Sequence, residues 1–235
     1  MMKGSVSVNS PRIRAVTNWV FLRAAGGAQR PRIMSPEQFF PEARRLEARF
    51  PALKAEVEEL LLRREIPRYG TFDPVRAAQV SEDWKLYYAY MFGQPNELAR
   101  TELPTLLEFA ESTPNVVNAF VSILEPGVPL PSHRDPYAGV LRYHLGIRVP
   151  TVKPPRIRLE DEYYTWKEGE GVVLDVNHEH EVTNESDQSR IIVIVDFHRP
   201  LGFLAGLLNR YMLRKKRKWA PQFVEASRYD VMHAA

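Results

Sequence analysis

The chain contains no cysteine. Disulfides, thiolate zinc sites, iron–sulfur clusters and cysteine nucleophiles are therefore excluded. Any metal must be held by imidazole and carboxylate, a donor set suited to iron(II), manganese or zinc rather than to softer ions. Long hydrophobic runs are missing as well. The best early candidate, residues 15–22, contains Thr17 and Asn18 and runs into Arg23. It falls far short of the ~20 apolar residues that span a bilayer. Acidic residues are absent before Glu37, while Lys3, Arg12, Arg14, Arg23, Arg30 and Arg32 supply six basic ones. Near the other end Arg210, Arg214, Lys215, Lys216, Arg217 and Lys218 form a second group of six with no acid among them. The net charge is only +3, so the body between these flanks is acidic. Such a body is ill suited to nucleic acid, whereas the flanks either meet an anionic surface or stay in solvent.

What is present describes an ordinary globular protein: 235 residues, 44% hydrophobic and 26% charged, enough for one medium domain with additions. The arginine-rich start resembles a transit peptide in composition. Alternatively, Met34 opens the chain, with Ser35 as helix cap and Pro36 at the first helical position. Residues 1–35 are accordingly expected to be a basic extension, disordered or preceding the true start. Residues 36–200 are expected to form the domain proper, with a helical front over 36–112 and a β core over 113–200. In the front, Phe39, Phe40, Ala43, Leu46 and Phe50 fall at helical spacing until Pro51, and Leu53, Val57, Leu60 and Leu61 continue the stripe. Residues 67–80 read as loop, 84–90 as a strand and 103–110 as a short helix. After Asn115, β-rich runs follow at 116–124, 140–149, 156–159, 163–166, 171–174, 180–183 and 190–197, separated by turn residues. The fold class is therefore mainly β with flanking helices, a double-stranded β-helix or jelly roll. Leu201, Leu204, Leu207, Leu208 and Tyr211 then mark an amphipathic helix in a basic appendage, residues 201–235. That helix suits peripheral contact with an anionic membrane. Its apolar face equally suits the protein's own core. The location expected is cytoplasmic, peripheral at the inner membrane face in the first case.

His133-Arg134-Asp135 sets an imidazole and a carboxylate two apart, and His180 follows 45 residues later. Two histidines and one carboxylate make a facial triad, leaving three positions open on iron. Asp135-Pro136 also reads as a plain turn. Arg190 heads the apolar strand 190–197, where a buried guanidinium requires an anion and its planar fork fits a carboxylate. Asp196 or Glu181 would be an ordinary partner; the far carboxylate of 2-oxoglutarate would be a functional one. Arg142 and His144, two apart on one strand, share a face, and Ser122 on the preceding strand adds a hydroxyl. His178, two residues before His180, competes with it as a ligand; in a cupin-like metal site without 2-oxoglutarate both would be ligands. A binding module that merely keeps the jelly roll is the non-catalytic alternative.

Several segments in order carry a resemblance. They are Leu124-Glu125-Pro126-Gly127, Leu141-Arg142-Tyr143-His144-Leu145-Gly146, Trp166-Lys167-Glu168-Gly169-Glu170, His180-Glu181-Val182 and residues 190–196. Residues 122–200 resemble the aspartyl/asparaginyl β-hydroxylase family of iron(II)/2-oxoglutarate dioxygenases. The resemblance implies iron ligation by His133 and His180, and 2-oxoglutarate contacts from Ser122, Arg142, His144 and Arg190. It also implies use of O2 and release of succinate and CO2. Animal members lack a carboxylate where Asp135 stands. The string 133–139, with residues 84–88, looks more like the bacterial branch acting on lipid A and ornithine lipids. A small-molecule or lipid acyl substrate is thus expected, with peptide Asp/Asn side chains or a free amino acid as the alternative.

Overall fold

The computed structural model describes residues 11–71 and 73–226. The chain opens with α1 (Pro11–Ala24) and β1 (Ile33–Met34), then α2 (Pro36–Phe39), α3 (Ala43–Glu47), α4 (Phe50–Arg63) and α5 (Pro74–Ala77). Strands β2 (Lys85–Met91) and β3 (Gln94–Pro95) lead to α6 (Ala99–Glu102) and α7 (Pro104–Ser112). Next come β4 (Val116–Leu124), β5 (Leu130–His133), β6 (Val140–Arg148), β7 (Arg156–Leu159) and β8 (Glu162–Thr165). The strands end with β9 (Gly171–Leu174), β10 (His180–Thr183) and β11 (Arg190–His198), followed by α8 (Phe203–Lys216) and α9 (Ala220–Ala226).

The strands form two antiparallel sheets, a jelly roll as expected. The larger runs β1-β9-β6-β11-β4-β2-β3 and the smaller β5-β10-β7-β8. The large sheet is buried on both faces, which is why β4 shows no alternation and all nine of its residues are buried. Odd positions of its central strands, among them Val121, Tyr143 and Val193, pack against the helical front through Phe40, Leu46, Leu53 and Phe109. Even positions, among them Phe120, Ile192 and Ile194, meet Leu130, Ile157, Leu159 and Val182 of the small sheet. A chain buried on both sides reads as a continuous apolar run, and period two disappears from its sequence.

Three expectations need correction. The helical front is not one run to Pro51. It breaks at Phe40, φ −150° and ψ 63°, because the following Pro41 disfavours helical geometry before it. Pro51 instead lies in the first turn of α4, where its missing N–H is harmless. Residues 11–35 are not an appendage. Phe21 of α1 is buried against Tyr137, Met212 and Leu213, and β1 pairs with β9 through Ile33↔Leu174 and Met34↔Val173. Residues 201–226 also belong to the fold. Asn209, Met212 and Leu213 of α8 face inward, and Ala220 and Val224 of α9 join the inter-sheet core. Residues 1–10 and 227–235 of the expected flanks lie outside the described residues.

Candidate metal centre

His133 ends β5 and His180 begins β10, and the two are direct cross-strand partners. Their rings sit 4.2 Å apart, centroid to centroid. Each imidazole is oriented by a backbone carbonyl two residues earlier. Nδ1 of His133 lies 2.7 Å from the Pro131 oxygen and Nδ1 of His180 lies 3.0 Å from the His178 oxygen. A carbonyl can only accept, so both Nδ1 atoms donate and both Nε2 atoms keep a lone pair. Burial pushes the His133 imidazole below its ordinary pKa and takes His180 down to about 4. Both rings are thus neutral near pH 7, the form that ligates metal.

Asp135 completes the group: one ligand atom from each of His133, Asp135 and His180 lies within 4.8 Å of the others. Its carboxylate bonds Nη1 of Arg142 at 3.0 Å, and Nη2 of Arg76 stands 3.5 Å away. Burial opposes ionisation of Asp135, but Arg142, His180, His133 and Arg76 outweigh it and hold the carboxyl below its usual value. Arg142 in turn bonds Asp196 at 2.7 Å through Nε. Arg142 and Asp196 are register partners across β6 and β11. His178 is not in the group. It faces Glu160 at 3.5 Å and Asp175 at 3.9 Å.

Three of the four expected anion contacts are buried on the inter-sheet side of the large sheet. Ser122, His144 and Arg190 are all buried, Arg190 to 1% exposure. Nη2 of Arg190 donates to Ser122 at 3.2 Å, and Trp84 donates to the same hydroxyl at 2.9 Å. The guanidinium carbon stands 4.7 Å over the Trp166 ring, whose N–H donates to Nδ1 of His144 at 3.2 Å. Nε of Arg190 and Nε2 of His144 are buried and unpartnered among the described residues. No carboxylate pairs with Arg190 there, and burial alone pulls its pKa down to about 9. A cation in that state is a ready site for a carboxylate, because desolvation has been incurred without a counter-charge.

A cavity of about 570 Å³ adjoins the group, lined by His133, Asp135 and Arg142 and by Tyr69, Trp84, Tyr88 and Phe120. Arg142 is the one of the four expected anion contacts on its wall; the other three stay behind it. Three participants were not singled out from sequence: Arg76, Trp84 as a donor, and Trp166. Trp166 lies within a segment that carries the family resemblance, but which strand faces it is set by pairing across the sheets and leaves no local mark.

The family model for aspartyl/asparaginyl β-hydroxylase matches residues 47–200. The chain belongs to this family. Among curated members it is 36% identical over 173 residues to the ornithine lipid ester-linked acyl 2-hydroxylase of Rhizobium tropici, covering 72% of this chain and 62% of that one. It is 34% identical over 123 residues to the human aspartyl/asparaginyl beta-hydroxylase, covering 50% of this chain and 16% of that protein. The chain therefore spans less than two thirds of either relative. Among solved structures, a Cupin_2 domain of an XRE family transcriptional regulator from Enterobacter cloacae aligns at a TM-score of 0.34 and 17% identity. That alignment covers 50% of this chain and 97% of the other. The jelly-roll assignment rests on the strand order above.

Proposed function

We propose that this β-hydroxylase family member is an iron(II)- and 2-oxoglutarate-dependent hydroxylase acting on a lipid acyl chain. One observation carries the co-substrate: a fully buried arginine with no counter-anion among the described residues, in a fold that also gathers a His–Asp–His group. The donor set suits iron(II), and the orphaned guanidinium suits the far carboxylate of 2-oxoglutarate. When bound, the two supply the oxidation, in which O2, 2-oxoglutarate and a substrate C–H become succinate, CO2 and an alcohol. The chain's residues bind and orient. His133 and His180 offer Nε2, and Asp135 offers a carboxylate kept ionised chiefly by Arg142. Arg190 would hold the co-substrate's distal carboxylate, with Ser122 and His144 as neighbouring polar groups, while Arg142, paired with Asp135 and Asp196, would steady the metal-side carboxylate. Tyr69, Trp84, Tyr88 and Phe120 give one wall of the adjoining cavity an aromatic surface against which an acyl chain would lie, beside the polar groups of His133, Asp135 and Arg142. No side chain need act as acid, base or nucleophile.

The lipid assignment draws on the bacterial relative and on the aromatic cavity wall. The test is succinate release with iron(II) and 2-oxoglutarate across ornithine lipids, acyl-bearing glycolipids, Asp/Asn peptides and free amino acids. Succinate formed one-to-one with a hydroxylated acyl chain is the expected result. Turnover of peptides alone would move the substrate to the alternative, and no coupled succinate with any class would remove the dioxygenase reading.

A further inference from the structure

Two helices from opposite ends of the chain meet beside the cavity. They share a small apolar cluster in which Phe21 of α1 packs with Tyr137, Met212 and Leu213. Their other faces are uncovered. On α8 the exposed side chains include Phe203, Leu204, Leu207 and Tyr211, with Leu204 79% exposed. At ~100° per residue these four fall on one arc with Arg210, Arg214 and Lys215, opposite the inward Asn209, Met212 and Leu213. On α1 the exposed stripe is Arg12, Val16, Trp19 and Arg23, at helical spacing. Trp19 is 65% exposed and has an arginine on either side along the stripe. Neither helix contains an acidic residue. Both also contribute to the cavity wall, α1 through Arg14 and α8 through Leu213 and Lys216.

Large apolar side chains held in solvent among cations, without one intervening acid, are the chemistry of an interfacial helix. Tryptophan beside arginine is the usual anchor at headgroup depth. We propose that the outer faces of α1 and α8 together form a docking surface for an anionic lipid bilayer. A second copy of the chain is the poorer occupant, because a face-to-face pair would bring two basic clusters together. The surface stands on its own geometry. Its use in feeding an acyl chain past Arg14 and Lys216 into the cavity rests on the lipid reading above.

The experiment is co-sedimentation of the full chain with phosphatidylglycerol/phosphatidylcholine vesicles and with phosphatidylcholine vesicles alone, at low and high salt. Binding to the anionic vesicles that weakens with salt is expected. A Trp19→Ser/Leu204→Ser/Leu207→Ser variant should lose partition on the order of tenfold or more. It should keep its thermal unfolding curve and its succinate release on detergent-dispersed substrate. An Arg210→Glu/Lys215→Glu variant should lose the preference for anionic lipid. The proposal is overturned if the wild type stays in the supernatant at low salt, or if both variants sediment like it. It is overturned equally if the exposed face proves to be a dimer contact that the triple variant dissolves. Vesicle binding without any lipid turnover sustains the surface and removes the lipid substrate instead.

Discussion

Arg190 is the residue on which the co-substrate reading turns, and its energetics give a test with a distinctive sign. A buried cation with no counter-charge among the described residues is a burden on the ligand-free fold. Arg190→Met should therefore leave the melting temperature of the ligand-free protein unchanged or raise it. The same variant should show none of the rise that 2-oxoglutarate gives the wild type by binding the native state alone. Had Arg190 sat in a structural ion pair, removing it would cost ~3–5 kcal/mol and lower the melting temperature. Thermal unfolding with and without 2-oxoglutarate reads the difference. For the metal, Asp135→Ala should weaken Mn(II) binding by more than the ~10–100-fold typical of losing a supporting contact. Asp196→Asn, which only loosens Arg142, should fall within that range; titration followed by electron paramagnetic resonance compares them. That His133, Asp135 and His180 converge was expected from sequence through the family resemblance, since a His-x-Asp triplet is by itself a weak signal. The partner of Arg142 was not. Asp196 was open as a partner for Arg190, yet it lies opposite Arg142. Register across strands decides such pairs, and it is not written locally.

At the scale of elements, two segments that carry the family resemblance, 141–146 and 166–170, depend on each other. Gly146 on β6 is approached by the turn after β8: the N–H of Gly169 donates to the Gly146 carbonyl at 2.9 Å. A methyl group at Gly146 would overlap the Lys167 carbonyl. This close approach holds the turn that carries Trp166 beneath Arg190 and beside His144. Gly146→Ala should cost ~1–3 kcal/mol by overpacking, seen as a lower urea midpoint. It should also weaken 2-oxoglutarate binding, since Trp166 moves with the turn. A second tie joins the ends of the fold. Asp175, wholly buried, takes two bonds from Arg199 at 2.6 and 2.8 Å and one from Arg30 at 2.8 Å. Burial raises the Asp175 carboxyl, but Arg199 and then Arg30 overcome it and hold the pKa below its ordinary value. The stabilisation is therefore complete above the unfolded carboxyl's pKa of ~4 and is lost as pH falls through the lower folded value. Asp175→Asn should destabilise by ~3–5 kcal/mol near neutrality, and its gap from wild type should close in unfolding curves taken below about pH 4. The longer strands were legible from β-branched runs between turns. β5 was not, since Leu130-Pro131-Ser132-His133 is short and holds a proline. α1 was discounted because its composition reads as a leader, although Phe21 and Arg30 bind residues 21–30 to the core.

Over the whole molecule, charge and apolar surface are segregated in a way that, for the proposed docking, would separate arrival at a membrane from residence on it. From residue 197 to 224 there is no acid, and none precedes Glu37, while the remainder of the chain is net acidic. An anionic bilayer therefore attracts the α1–α8 side and repels the rest, which orients the approaching molecule before contact. Exposed charges act over about 8 Å at physiological ionic strength and much farther at low salt. They should set the association rate, whereas Phe203, Leu204, Leu207 and Trp19, once inserted, should set the dissociation rate through apolar area removed from water. Stopped-flow mixing with anionic vesicles separates the two. The association rate should fall by about tenfold or more across a salt series from low to high ionic strength, with dissociation nearly constant. In the Trp19→Ser/Leu204→Ser/Leu207→Ser variant the order reverses: association should stay close to wild type and dissociation should accelerate. If salt instead acts mainly on dissociation, the cations are themselves buried against headgroups and the apolar patch is not the anchor. That outcome would shift the contact toward Arg210, Arg214 and Lys215, and away from the tryptophan stripe of α1.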